Sequence, residues 1–180
     1  KRQVVSEPKV TDDEVNEIWN RAEELWVAGE TKAQSNGNGM LGSDQTFLKD
    51  VMRAGTMSDK VAALTLAAQQ NVLFSLTTLQ KLTTMASKQG QRSALLAIEA
   101  LRDLYVENVL PSHRRLIEFQ NHPLHRKDVS EMHLIVWYFE AEVKRLFGEL
   151  VNTFSLSLKV YNWTPKVQGY LLSRRRANHS

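Results

Sequence analysis

One segment near the end of the chain limits the possible folds more than any other, because its apolar residues recur at helical spacing from residue 135 to residue 158. Steps of three or four residues connect Ile135, Phe139, Val143, Leu146, Leu150, Phe154 and Leu158. This period places the seven side chains on one face of a long α-helix. A second apolar side comes from Leu134, Trp137, Tyr138 and Ala141. A helix that is apolar on two sides is expected to pack between neighbours.

The first 42 residues are expected to form one helix followed by a loop. Thr11 and Glu14 have the spacing of a capping box, in which a hydroxyl and a carboxylate cap the first turn of a helix. Apolar residues then follow at spacings of three and four, and Gly29 is the expected helix stop. Residues 30–42 are rich in Gly, Asn and Ser and predict a flexible loop.

Between residues 43 and 110, apolar stripes alternate with short turns. Gly55 is expected to end the first of these helices, and Ser58 is the expected N-cap of the next. A third stripe runs from Val72 to Ala86, and Ser93 is expected to open a fourth helix. Helical pairs of about 35–40 residues have the period of HEAT and armadillo repeats.

The predicted fold is therefore all-α, in the form of a HEAT- or armadillo-like helical-repeat fragment, an α-solenoid. The expected division is an N-terminal helix and flexible loop over 1–42, a helical-repeat domain over 43–160, and a short final helix with a basic tail over 161–180. No segment repeats the sequence of another, so a compact irregular bundle is the alternative. Since the first residue is Lys1 and not methionine, the chain is expected to be a fragment of a longer protein.

Motifs that would indicate catalysis or a cofactor are weak. Residues 37–42 match G-x-G-x-x-G, but a helix precedes them where a nucleotide site needs a strand. His122 and His125 lie three residues apart, and the chain has no cysteine, which favours loop histidines over zinc. Glu140 and Glu149 are expected on a solvated helix face. We expect no enzyme activity, no cofactor and no metal, with an enzyme or ligand-binding bundle around the two histidines as the alternative.

The net charge of +3 is distributed unevenly along the chain. Residues 1–54 carry 7 basic and 10 acidic groups, residues 55–110 carry 5 and 4, and residues 111–180 carry 11 and 6. A basic last third favours an acidic partner such as RNA, and a solvated basic surface or a nuclear-import patch is the alternative. The candidate phosphate contacts are Lys60, Arg114, Arg115, Arg126, Lys127, Arg174, Arg175 and Arg176.

Three blocks of sequence carry a family resemblance. The first is residues 55–66, which read GTMSDKVAALTL. The second joins residues 97–104, AIEALRDL, to residues 109–116, VLPSHRRL. The third is residues 134–140, LIVWYFE. In this order and spacing, they make the chain resemble the nucleolar-complex, or CCAAT-binding-factor, family of ribosome-assembly proteins.

The resemblance implies an α-solenoid without enzyme activity that acts in early maturation of the large ribosomal subunit. It implies a nucleolar or nuclear location, binding to precursor ribosomal RNA in a pre-ribosomal particle, and pairing with a second nucleolar-complex protein. Neither a membrane nor a small-molecule substrate is expected. Two alternatives stay open: a protein–protein helical-repeat module that touches no RNA, and a fragment of a CCAAT-type transcription factor.

Overall fold

The computed structural model describes residues 11–35, 42–88 and 92–161 of the chain. In these ranges the backbone forms helices and no strand, so the all-α prediction is confirmed. The α-helices are α1 (Asp12–Ser35), α2 (Gly42–Ala54), α3 (Met57–Gln70), α4 (Leu76–Ala86), α5 (Arg92–Leu104) and α6 (Glu131–Tyr161). Shorter turns are the 3-10 turns Val72–Phe74 and Phe119–Asn121 and the π-helical turn Tyr105–Val109.

The core lies where α6 meets the other helices. Helix α6 packs against α1 and α4, α4 packs against α5, and α3 packs against both α4 and α5. The apolar spacing of α6 is confirmed, because its buried residues include Phe139, Val143, Leu146 and Leu150. From the other helices, the side chains with no exposed surface are Ala22, Leu79, Leu82, Ala97, Leu101 and Leu104. Helix α6 therefore has neighbours on more than one side, as its two apolar sides predict.

The first described helix packs against the last. An Arg21 nitrogen lies 2.9 Å from a Glu131 oxygen, joining α1 to the start of α6. The ring centroids of Trp19 and Trp26 lie 4.9 and 6.0 Å from that of Tyr138. In a solenoid each repeat contacts only its sequence neighbours, whereas contact between the first and last helices is typical of a bundle. The HEAT- or armadillo-like arrangement stays a prediction.

Gly29 does not end α1, because the helix continues to Ser35. The loop predicted over residues 30–42 is therefore wrong over residues 30–35 and at residue 42, which begins α2, and residues 36–41 lie outside the described ranges. Gly29 instead allows a close approach: a Cβ atom at this position would lie 2.3 Å from Cε1 of Phe74. Beside it, the Trp26 indole N–H donates a hydrogen bond to the Leu73 carbonyl oxygen at 2.8 Å. The glycine therefore lets α1 pack closely against the turn Val72–Phe74.

The third apolar stripe is not one helix. Val72–Phe74 forms a 3-10 turn, and α4 begins only at Leu76. The buried Ser75 hydroxyl donates to the Val72 carbonyl oxygen at 2.6 Å and thereby satisfies a polar group at the break. Apolar spacing alone does not reveal this break, because the apolar residues of both segments pack against the same core.

Helix α3 begins with a capping box formed by Thr56 and Asp59. The Thr56 hydroxyl oxygen accepts the Asp59 backbone N–H at 3.2 Å, and an Asp59 carboxylate oxygen accepts the Thr56 N–H at 3.0 Å. Ser58 lies inside the first turn, so its prediction as the N-cap is wrong. Of Thr56 and Ser58, only Thr56 has a carboxylate three residues later, which is the spacing that a capping box needs. Gly55 ends α2, as predicted.

Replacing Thr56 with alanine is expected to lower the free energy of unfolding by about 1 kcal/mol, because α3 loses its cap. Ser58→Ala is the matched control two residues away and is expected to change the same quantity by less than about 0.5 kcal/mol. Urea denaturation of both variants measures the difference. A larger loss from Ser58→Ala would contradict the position of the cap.

Candidate nucleic-acid interface

The segment between the π-helical turn and α6 carries half of the candidate phosphate contacts. We call residues 110–130 the connector. It is irregular apart from the 3-10 turn Phe119–Asn121. Two apolar residues anchor it, since Phe119 and Leu124 are buried and the Phe119 ring packs edge-on against Trp19 at 4.9 Å. The candidate phosphate contacts on the connector are Arg114, Arg115, Arg126 and Lys127.

Glu140 of α6 fixes Arg114 of the connector. Each Glu140 carboxylate oxygen accepts an N–H from the Arg114 guanidinium, one of them at 2.9 Å. This two-point geometry is the strongest form of arginine–carboxylate pairing and raises the pKa of Arg114. Glu140 is 6% exposed, so its predicted place on a solvated face is wrong. Arg114 therefore already has an anionic partner, while its side chain remains 42% exposed.

A second ion pair joins the connector to α6 one turn further along the helix. The Lys144 ammonium donates to the Glu118 carboxylate. Glu140 and Lys144 are four residues apart and share one face of α6. Arg114 and Glu118 have the same spacing along the connector. The two pairs therefore hold this part of the connector along α6.

The middle and end of the connector are held by three aromatic rings, which we call the three-ring cluster: His122, Trp137 and His133. The His122 and Trp137 ring centroids lie 4.4 Å apart with 12° between the planes. His133 also stacks on Trp137, at 5.6 Å and 29°. The Ser130 backbone N–H donates to Nδ1 of His133 at 3.0 Å, which caps the start of α6. These contacts fix where the connector ends.

Three of the four tryptophans lie in the described helices. Trp26 is buried. Trp19 and Trp137 are half-buried and pack against the core, and Trp163 lies outside the described residues.

Burial lowers the pKa of His122, although the nearby Glu140 carboxylate raises it and the Arg114 guanidinium lowers it further. The folded state therefore favours the neutral imidazole, and its stabilising contribution is complete above the ordinary pKa of 6.5. We expect this contribution to be lost as the pH falls below about 6.5. Thermal unfolding of the chain and of His122→Gln across this range measures it. If the midpoint temperature of unfolding falls with decreasing pH no more in the wild-type chain than in the variant, the stacked, neutral state of His122 is contradicted.

The predicted phosphate contacts differ in their surroundings. Arg126 pairs with Asp128 at 2.9 Å in an exposed turn. Arg115 and Lys127 are exposed, and neither has an ion-pair partner in the part of the chain that the structure describes. Lys60 is half-buried in the first turn of α3, on a different element from the connector. The predicted contacts that lie outside the described residues are Arg174, Arg175 and Arg176.

The structure brings four predicted contacts onto one connector and reveals partners that the sequence analysis missed. The missed features are the buried position of Glu140, the Glu118–Lys144 pair and the stacking of two imidazoles on Trp137. One signal could have indicated the last of these, because His133 and Trp137 are four residues apart on a helix. Within residues 11–35, 42–88 and 92–161, no three side chains are grouped to hold a metal ion.

None of the described helices combines the length and apolar character needed to cross a membrane. The shallow surface depression on α1 is lined by Asn20, Glu23, Glu24, Val27 and Ala28. Neither observation points to a further site.

Comparison with known proteins gives relatives over most of the chain. No family model matches it. It is 28% identical to CCAAT/enhancer-binding protein zeta of Mus musculus over 149 residues. The aligned part makes up 78% of this chain and 14% of that protein. It is 31% identical over 143 residues to an uncharacterized protein of Schizosaccharomyces pombe, 79% of this chain and 16% of the relative. It is 30% identical over 130 residues to the ribosome biogenesis protein NOC1 of Chaetomium thermophilum, 61% of this chain and 12% of the relative. The chain therefore spans less than a fifth of the length of these relatives.

Proposed function

Because this chain belongs to the nucleolar-complex, or CCAAT-binding-factor, family, we propose that it is a non-enzymatic scaffold for assembly of the large ribosomal subunit. It acts in early maturation, in the nucleolus or nucleus. It holds precursor ribosomal RNA and a second nucleolar-complex protein within one pre-ribosomal particle. The name of the NOC1 relative, a ribosome biogenesis protein, supports this role.

The observation that carries the RNA contact is the exposed pair of cations on a fixed connector. Arg115 and Lys127 are exposed and have no ion-pair partner among the described residues. The Arg114–Glu140 and Glu118–Lys144 pairs hold the connector around Arg115, and the three-ring cluster holds the part that carries Lys127. Because the segment is already ordered, RNA binding loses less conformational entropy there. Contacts of this kind position phosphates without reading base sequence.

A second candidate function is a pure protein–protein module. Leu66 of α3 and Leu95 of α5 support it, because they are 50% and 55% exposed on two helices that pack together. Exposed apolar side chains on adjacent helices suit a protein partner. In the first proposal, these residues contact the second nucleolar-complex protein while the connector binds RNA. In the second candidate, this contact with a protein is the only function of the chain.

Crosslinking in purified pre-ribosomal particles tests the two candidates against each other. The chain is expressed with an affinity tag, particles are purified, and ultraviolet crosslinks to RNA are mapped by mass spectrometry. We expect RNA adducts within residues 110–130 and loss of these adducts in an Arg115→Ala, Lys127→Ala double variant. Protein crosslinks alone would favour the second candidate. Failure of the chain to purify with large-subunit precursors would contradict both.

A further inference from the structure

An aromatic surface lies beside the basic turns of the connector, at the start of α6. His133 is exposed, while its ring stacks on Trp137 and the Trp137 ring stacks with His122. From this geometry we infer that an unpaired RNA base stacks on the His133 ring, so that the ligand of this surface is single-stranded RNA. The inference rests on the proposed function, because it names the class of RNA that the connector binds.

The His133 ring is fixed before any ligand arrives. Its Nδ1 accepts the backbone N–H of Ser130 at 3.0 Å, and the Ser130 hydroxyl lies 2.9 Å from the same nitrogen. An Nδ1 atom that accepts a backbone N–H carries no proton, so the proton of the neutral ring is on Nε2. The exposed ring therefore offers a fixed π surface and one N–H donor. A ring that needs no ordering loses little entropy when a base stacks on it.

A cation for the adjoining phosphate lies in the turn just before the ring. The Val129 N–H donates to the Arg126 carbonyl oxygen at 3.3 Å, and Lys127 is exposed at the second position of this turn. The turn leads directly to the ring, because it ends at Val129, and the next residue, Ser130, donates its backbone N–H to the ring. The Asp128 carboxylate would repel a phosphate, but both of its oxygens accept N–H groups of Arg126.

This combination suits single strands and not duplexes. Proteins that bind single-stranded nucleic acids combine backbone-tracking cations with aromatic rings on which bases stack. In an RNA duplex the base faces are hidden within the stack, so the ring has no partner there. Phosphate contacts from Arg115 and Lys127, in contrast, are available to both forms.

Fluorescence anisotropy with the 180-residue chain tests the inference. The probes are a labelled, unstructured 12-nucleotide RNA and a 12-base-pair RNA duplex. His133→Asn keeps a polar side chain that can accept the Ser130 N–H but removes the ring, whereas His133→Phe keeps a ring and removes the acceptor. We expect His133→Asn to weaken single-strand binding about 5- to 150-fold, the effect of losing one stacked base, and to leave duplex binding unchanged. His133→Phe is expected to retain single-strand binding.

His113→Asn is the matched control, because His113 is an exposed connector histidine outside the three-ring cluster. It is expected to change neither affinity. If His133→Asn leaves single-strand binding unchanged, or weakens both probes equally, the stacked base is contradicted. An Arg115→Ala, Lys127→Ala variant separates this failure from failure of the proposed function. Loss of affinity for both probes in that variant would support the phosphate contacts, even where the stacked base is contradicted. A chain that binds neither probe would contradict both proposals.

Discussion

Leu101→Ala is expected to lower the free energy of unfolding by about 2–5 kcal/mol. Leu101 has no exposed surface and lies on α5, which packs against α3 and α4. Truncation removes apolar contacts and leaves a cavity that close-packed neighbours fill only in part. Urea denaturation followed by circular dichroism measures the change.

The control for this result is Leu95→Ala in the same helix. Leu95 is exposed, so the substitution is expected to change the free energy of unfolding by less than about 0.5 kcal/mol. Both substitutions have the same effect on helix propensity, because both replace leucine with alanine in α5. Equal losses in the two variants would contradict the packing of α5 on its neighbours.

Gly29→Ala is expected to destabilise the chain by about 1–3 kcal/mol, although alanine normally favours a helix over glycine by about 1 kcal/mol. The new Cβ atom would lie 2.3 Å from Cε1 and 2.5 Å from Cζ of Phe74. Either the Phe74 ring or α1 must move to make room. The ring is half-buried and packed against the core, and its centroid lies 6.1 Å from that of Trp26.

Gly148→Ala in α6 gives the opposite sign and serves as the control. No heavy atom beyond the local helix lies within 4 Å of a Cβ at Gly148. The substitution is expected to stabilise the chain by about 0.5–1 kcal/mol, because alanine loses less backbone entropy on folding than glycine. Thermal unfolding of both variants distinguishes the signs. If Gly29→Ala stabilises the chain as Gly148→Ala does, the contact between α1 and Phe74 is wrong.

Local patterns in the sequence predicted most of the helices. The apolar residues from Ile135 to Phe154 recur at steps of three or four. A pattern of this length is typical of an α-helix and therefore predicts α6. The pair Thr11 and Glu14 predicts the start of α1, where the Glu14 N–H donates to the Thr11 hydroxyl at 3.3 Å. The family resemblance is also confirmed. These features are local in sequence, so no tertiary contact is needed to infer them.

Apart from the cap of α3, which local spacing assigns to Thr56, the errors arise where a tertiary contact decides the outcome. A glycine after an apolar stripe suits both a helix stop and a close approach, and only the position of Phe74 separates the two at Gly29. The π-helical turn at Tyr105–Val109 has no sequence signature. Tyr105 is buried with its hydroxyl unpaired among the described residues, and its ring packs edge-on against Phe147 at 5.2 Å.

The candidate site was predicted in part. The basic residues of the site can be read from the sequence. The irregular connector can also be inferred, because it contains two of the chain's prolines. The partner of Arg114 cannot, because Glu140 lies 26 residues away and reaches it only after α6 forms. Two adjacent cations in one connector can therefore differ in role: Arg114 holds the connector, whereas Arg115 is exposed.

The salt dependence of RNA affinity tests the central claim most directly. Each phosphate contact to single-stranded RNA contributes about −0.7 to the slope of log affinity against log salt concentration. The chain is expected to show a clearly negative slope, and the Arg115→Ala, Lys127→Ala variant a slope smaller in magnitude by about 1.4. A flat response, or an identical slope in the chain and the variant, would contradict an RNA scaffold that binds through the connector.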